Sequence, residues 1–481
     1  MTQTSTHAET ARTMSLPTLT AMVIGSMVGA GVFSLPRNFA QATGVYGAVV
    51  AWLIAGAGML MLALVFQTLA VRKPYLDAGV YAYAKAGFGD YLGFFSAFGY
   101  WASACVGNVS YWVLIASTLG AVVPALGEGA TIVAVCVSAV GVWAFHFMIL
   151  RGVREAATIN KIVTVAKLVP ILLFVVILAV TLRAGVFGAN LWGGAGHTAG
   201  SLFDQVRSTM LVTVFVFLGV EGASVYSRYA RRRADVGRAT VLGFLAVLAL
   251  FASVTLLSYG ALPKDRVAGL RQPSMGGVLE SVVGTWGAVL IGAGLIVSVL
   301  GAYLAWTLMA AEVLFVAAKD RDMPAFLARE NRRGTPEAAL TLTSLLITVI
   351  LITTLFSDDA FTFTLELTSS LSLIPYLLAA GYALRLALSG ETYETRPHGR
   401  NRDLTIAALA TLYTLFMIVA AGLKLLLLSC VIYAPGTVLF VVTRRELGRR
   451  AFTPPELALF AVVVIGAVTG IAGLVAGWLT I

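Results

Sequence analysis

Apolar stretches long enough to cross a hydrocarbon core of ~30 Å recur along almost the whole chain. They lie near residues 17–36, 45–70, 92–123, 130–149, 160–182, 204–228, 239–262, 283–317, 338–356, 361–387, 404–421, 425–443 and 457–480. Within each, apolar residues run all the way round instead of forming one stripe, the pattern of helices surrounded by lipid or by other helices. The pattern predicts thirteen spans, falling to twelve if the short segment Gly422-Leu-Lys424 does not turn.

Two spans carry helix breakers at their midpoints. The first contains Gly25-Ser-Met-Val-Gly29-Ala-Gly31-Val-Phe33, and the sixth contains Phe217-Leu-Gly219-Val-Glu221-Gly222. Glycine lowers helix propensity and exposes backbone, and unwound backbone is tolerated at membrane depth only where it lines a cavity or is buried in protein. Matching interruptions at the start of two halves point to the binding site of a secondary transporter. Close helix packing through Gly25-x-x-x-Gly29 is the competing explanation, but it leaves the break in span six unexplained.

Charge then orients the spans. Alternate loops hold Arg72, Lys73 and Lys85; Arg151 and Arg154; Arg231, Arg232, Arg233 and Arg238; Lys319, Arg321, Arg329, Arg332 and Arg333; Arg396, Arg400 and Arg402; and Arg444, Arg445, Arg449 and Arg450. The loops between them are acidic or poor in base, with Glu128, Asp204, Asp358 and Asp359, alongside a mixed segment from Lys264-Asp-Arg266 to Glu280. Under the positive-inside rule, a cytoplasmic N-terminus is expected and, with thirteen spans, an outward C-terminus. Because five is odd, spans one to five and six to ten start on opposite sides, an inverted repeat with a broken helix opening each set. The predicted fold class is therefore an all-α polytopic membrane protein. Residues 1–15 form a tail and 16–390 the transport core, with helices 1–5 at about 16–183 and helices 6–10 at about 203–388. Additional helices occupy 403–481.

Composition narrows the chemistry. With 59% hydrophobic and 12% charged residues among 481, no sizeable soluble domain fits. The net charge of +10 is a topology signal facing anionic membrane lipid, not a nucleic-acid surface. Cys105, Cys136 and Cys430 sit in apolar spans as small hydrophobes. The four histidines have no metal-ligand spacing, no GxxxxGK[ST] loop is present, and Gly87-Phe-Gly89-Asp90 lacks the second aspartate an intramembrane protease needs. No cofactor, metal or catalytic residue is expected. The first fifteen residues contain no apolar signal region, so span one is expected to remain in the mature protein.

A gap in a helix offers opposite charges at its two edges. The half-helix after the gap presents free N–H groups and a positive dipole end, here at Ala30, Gly31, Val32 and Phe33, suited to a carboxylate. The half-helices before the gaps expose carbonyls such as those of Met27, Phe215 and Leu218, suited to an ammonium. One pair of gaps can hold an α-amino acid by backbone alone.

Several segments resemble the amino acid–polyamine–organocation superfamily, in particular its basic amino acid/polyamine antiporters and, among them, the arginine/ornithine exchangers. They are Gly25 to Pro36, Asp77 to Asp90, Val106-Gly-Asn-Val-Ser-Tyr111, Phe217 to Ser224, Ala311-Glu-Val-Leu-Phe-Val-Ala-Ala-Lys-Asp320 and Ile374-Pro-Tyr-Leu377. The resemblance implies a leucine-transporter-like fold in the cytoplasmic membrane and exchange of cationic amino acids, arginine entering while ornithine leaves. A homodimer is a possible assembly. It places the substrate carboxylate on Ala30, Gly31 and Val32, with alanine where many relatives have serine, and the ammonium on the carbonyls of Met27, Phe215 and Leu218. It places the cationic side chain among Asn108, Tyr111, Phe215, Trp306 and Ser369 or Ser370. Phe215 stands where a relative stacks a tryptophan on guanidinium, keeping a weaker cation–π face.

Three ionisable groups inside spans need a role, since such groups are costly there and usually functional. The resemblance assigns Glu221 to proton sensing or gating. It places Lys167 on the carbonyls of broken span one, either making transport depend on pH or acting as a fixed strut. Glu366 matches no family motif; it is either a partner for the substrate cation or a carboxylate in an outer vestibule. The rival readings are proton-coupled or exchange transport of lysine, agmatine or cadaverine, and, from another class, a membrane enzyme or a sensor. An enzyme needs a nucleophile or metal cluster and a sensor an output domain, and the sequence displays neither.

Overall fold

The computed structural model describes residues 15–76, 80–152, 156–193, 198–221, 233–393 and 399–480. The second half of span six from Gly222, the 77–79 stretch, residues 1–14 and the loop bases Arg154, Arg231, Arg232 and Arg396 lie outside them. Among the described residues all regular structure is helical. The first set comprises α1 (Leu16–Met27), α2 (Leu35–Ala42), α3 (Val45–Arg72), α4 (Val80–Phe88), α5 (Asp90–Leu119), α6 (Ile132–Leu150) and α7 (Ala156–Val180). A short α8 (Ala184–Ala189) leads to α9 (Ala199–Phe217), α10 (Arg233–Ala261), α11 (Lys264–Ala268), α12 (Ser274–Val283), α13 (Thr285–Lys319), α14 (Glu337–Thr353) and α15 (Ala360–Ser389). The chain ends with α16 (Arg400–Glu446) and α17 (Pro454–Val475).

Nine of these helices are long and apolar enough to cross a membrane, and α1 with α2 forms a tenth span bent by 55°. The remaining three of the thirteen expected spans are α7, α9 and the division of α16. That helix is interrupted at Gly422, whose backbone is non-helical at φ 76°, ψ 172°. Its two ends lie at the same end of the bundle. Asp403 near its start pairs with Arg72 of α3 at 2.9 Å, and Arg444 near its finish pairs with Asp90 of α5 at 3.1 Å. A straight helix of 47 residues would be about 70 Å long, far beyond one crossing. The chain therefore reverses at Gly422, as the short-turn reading requires.

Helix α1 begins at this base-rich end, where Leu19 packs on Val236 and Ala239. Helix α9 begins at the other end, where Gln205 accepts from Thr43 just after α2 at 2.8 Å. The two broken spans thus enter from opposite sides and meet midway. Helix α5 is buried on nearly every face and forms the scaffold beside their meeting point. Helix α17 exposes most of its apolar residues and lies at the periphery, where lipid is the solvent.

Candidate functional site

The glycine-rich segments do break their helices. Helix α1 stops at Met27, Val28 and Gly29 are extended, and a 3₁₀ turn over Ala30–Ser34 leads into α2. Helix α9 stops at Phe217, after which Leu218 leaves the helical region and Gly219 turns to φ 99°. The two breaks touch: a Cβ on Gly219 would sit 2.3 Å from the Ser26 carbonyl oxygen. A side chain there would meet immovable backbone as well as a strained φ.

Lys167 of α7 fixes the first break. Its Nζ donates to the carbonyls of Gly25 at 2.6 Å and Val28 at 2.9 Å. Those carbonyls belong to the last turn of α1 and the residue after it, where intrahelical donors have run out. One ammonium satisfies both in a buried position.

A small cavity lies where the breaks meet, with about 30 Å³ of open space, room for a water or two. Met27, Ala30, Gly31, Tyr111, Phe215, Leu218 and Trp306 line it. The first N–H groups of the 3₁₀ turn lack intrahelical partners, so donors on one side face carbonyl-bearing helix ends on the other. Gly31 is a second point of close approach. A Cβ there would lie 2.7 Å from Val216 Cγ1 and 2.8 Å from Phe215 Cδ1.

Not every expected residue reaches this cavity. Val32 is buried in the turn but does not line the open space. Asn108 is also fully buried and donates to Thr307 Oγ1 at 3.1 Å, while its Oδ1 accepts nothing among the described residues. Ser369 and Ser370 turn away. Ser369 donates to the Leu211 carbonyl of α9 at 2.7 Å, and Ser370 meets Ser429 of α16 at 3.3 Å. Residues 368, 369 and 370 differ by about 100° each around a helix, and Thr368 is the one that lines the site. Glu366 is likewise absent from the lining and lies within electrostatic reach of Lys424.

Ser103 and Gly107 were missed by sequence reasoning and both line the cavity. They precede Tyr111 by eight and four residues on α5, so helical periodicity counted back from Tyr111 would have found them. The Ser103 hydroxyl bonds Ser372 of α15.

Two sets of polar contacts flank the breaks. At the base-rich side, Glu221 accepts from Tyr100 of α5 at 2.6 Å, from Tyr376 of α15 at 2.7 Å and from its neighbour Gly219 N–H at 3.2 Å. The carboxylate thereby clasps two scaffold helices to the break in span six. At the opposite side Arg37, just after the first break, pairs with Asp359 at the start of α15 at 3.0 Å and lies 3.8 Å from Glu128.

A polytopic helical bundle with a cavity between two broken spans has the architecture of a secondary transporter. The family model described as amino acid permease matches residues 14–442, and the chain belongs to that family; it is a transporter, not an enzyme. It is 50% identical to an arginine/ornithine antiporter of Pseudomonas aeruginosa, over 98% of this chain and 99% of that protein. It is 40% identical to an L-lysine transport protein of Corynebacterium glutamicum, over 98% and 97% of the two chains. With an arginine/agmatine antiporter of Chlamydia abortus it shares 35% identity over 93% of each.

Proposed function

We propose that this transporter exchanges arginine for ornithine across the cytoplasmic membrane, with its base-rich end in the cytoplasm. The observation that carries the reading is the meeting of two helix ends of opposite polarity at one cavity. A carboxylate fits the N–H groups of Ala30, Gly31 and Val32, and an ammonium fits the carbonyls of Met27, Phe215 and Leu218. Phe215 and Trp306 supply aromatic faces for a cationic side chain. The orphaned Asn108 Oδ1 is an acceptor for that cation once Thr307 and Trp306 shift.

The present open space is smaller than any basic amino acid, so loading requires Phe215 or Trp306 to swing aside. Glu221 acts as the cytoplasmic latch and Arg37 as the outer one; exchange follows when only a loaded centre lets them open in turn. The 50% identity to an arginine/ornithine antiporter over nearly the full length supports this choice of substrates.

Counterflow in proteoliposomes tests the pairing. Labelled external arginine should accumulate when vesicles hold ornithine and fail to accumulate when they hold a neutral amino acid. Uptake into empty vesicles that collapses with an uncoupler would instead favour proton-coupled transport, for which the buried Lys167 on the broken helix is the specific structural motive. Replacing Phe215 by alanine should weaken arginine binding by about 1 kcal/mol, or roughly fivefold. Unchanged affinity in a binding titration would return Phe215 to a packing role.

A further inference from the structure

A second cavity, of about 310 Å³, opens beside the cytoplasmic part of α13 between the ends of α6 and α14. Its walls include Leu308, Met309, Leu340 and Ile149, with Thr335 and Glu312 as polar members. It adjoins the latch directly. Met309 Sδ lies 3.6 Å from the Tyr100 hydroxyl, which donates to Glu221. One methionine side chain therefore separates this cavity from the closure beneath the central site. Trp306 in the central cavity and Glu312 are six residues apart on α13, about 9 Å along its axis and about 240° around it.

Glu312 is exposed and pairs with no base among the described residues. It sits at the mouth of the cavity, near the base-rich end of a membrane-spanning helix, where a carboxylate suits a passing or bound cation. Apart from Thr335, the rest of the cavity is apolar. A carboxylate beside Leu308, Met309 and Leu340 complements a molecule with a charged tip on a methylene arm, which is the side chain of a basic amino acid.

We propose that the Glu312 cavity is an inner waiting site, which holds the cationic side chain of the outgoing basic amino acid before the Tyr100–Glu221 latch opens. The site rests on the exchange of basic amino acids argued above. It raises the local concentration of substrate at the cytoplasmic mouth, on the side of α13 where Met309 meets Tyr100. Met309 is the side chain that must move for the transfer.

The test compares substrate KM on the two faces of proteoliposomes with oriented protein, using ornithine inside and arginine outside. Glu312→Gln should raise the ratio of inner-face to outer-face KM about fivefold, the scale of losing one partly exposed charge pair. Glu312→Asp should largely restore the ratio, and Glu312→Lys should raise it further by repulsion. A wild-type ratio in Glu312→Gln while basic amino acids still exchange would overturn the waiting site alone. Exchange restricted to neutral amino acids in the wild type would overturn both this site and the substrate assignment. A Glu312→Gln defect confined to vesicles containing phosphatidylethanolamine, with KM ratios unaltered, would also overturn it and give the carboxylate to a lipid ammonium.

Discussion

Gly31→Val should abolish exchange in a protein that still folds and inserts. The added Cβ alone would stand 2.7 Å from Val216 and 2.8 Å from Phe215, inside any real contact distance. These neighbours are side chains of α9, so relief requires Val216 and Phe215 to turn away or the two broken spans to move apart at the point where they form the cavity. Valine adds two further methyl groups in the space assigned to the substrate carboxylate, and overpacking of this kind typically costs about 1–3 kcal/mol. That is tolerable for a large bundle but not for a site with room for a water or two. Counterflow should fall at least about a hundredfold, since the ligand loses both its volume and its backbone donors. The check is arginine counterflow by variant protein that elutes as a single species in detergent. Rates near wild type from that preparation would remove Gly31 from the site.

Lys167→Met should lower both stability and transport, by a different route. Methionine keeps the length and apolar stem of lysine but leaves the Gly25 and Val28 carbonyls without the donor that holds them at 2.6 and 2.9 Å. Hydrogen bonds to a charged group are each worth about 1.5–3 kcal/mol, and an orphaned buried acceptor pays its full desolvation cost. A loss of about 3 kcal/mol or more is expected, visible as a clear drop in the thermal unfolding midpoint in detergent. Transport should fall at least about tenfold, because α1 would no longer be held against α7 at its break. An unchanged midpoint and rate would mean that the lysine neither supports the broken helix nor couples it to transport.

The two variants separate parts of the design that differ in how plainly the sequence announces them. Gly31 was legible because a run of glycines in an apolar span is a local anomaly, and helix propensity is a local property. Lys167 was legible as an anomaly, a charge inside a span, and its partners came from the resemblance. Ser369 and Ser370 show the limit. Their type and approximate depth were read from the chain, yet the rotation of α15 sends one hydroxyl to α9 and the other to α16. The cavity receives Thr368 instead. Asn108 was placed on the right helix, but the structure bonds it to Thr307, behind the open space.

The latch lay further beyond reach. Glu221 was a visible candidate, but its partners are 121 and 155 residues away, and two tyrosines among 16 give no sign of converging. The Glu312 cavity is similar: its walls come from α6, α13, α14 and the residues just before α14, and no local pattern joins them.

The sequence by itself determined the alternation of sides, the two broken spans and a count of twelve or thirteen crossings, which the non-helical Gly422 of the structure then decides. Each follows from chain-local quantities: apolar length against bilayer thickness, loop charge, and the backbone preferences of glycine. Only the tertiary structure decided which faces of the scaffold helices look into the cavity and how little open space it holds. It also decided the partners of Glu221 and Arg37 and where a second cavity opens. Those depend on the rotation and depth of each helix against neighbours more than a hundred residues away, which packing of the whole bundle sets and no single segment encodes.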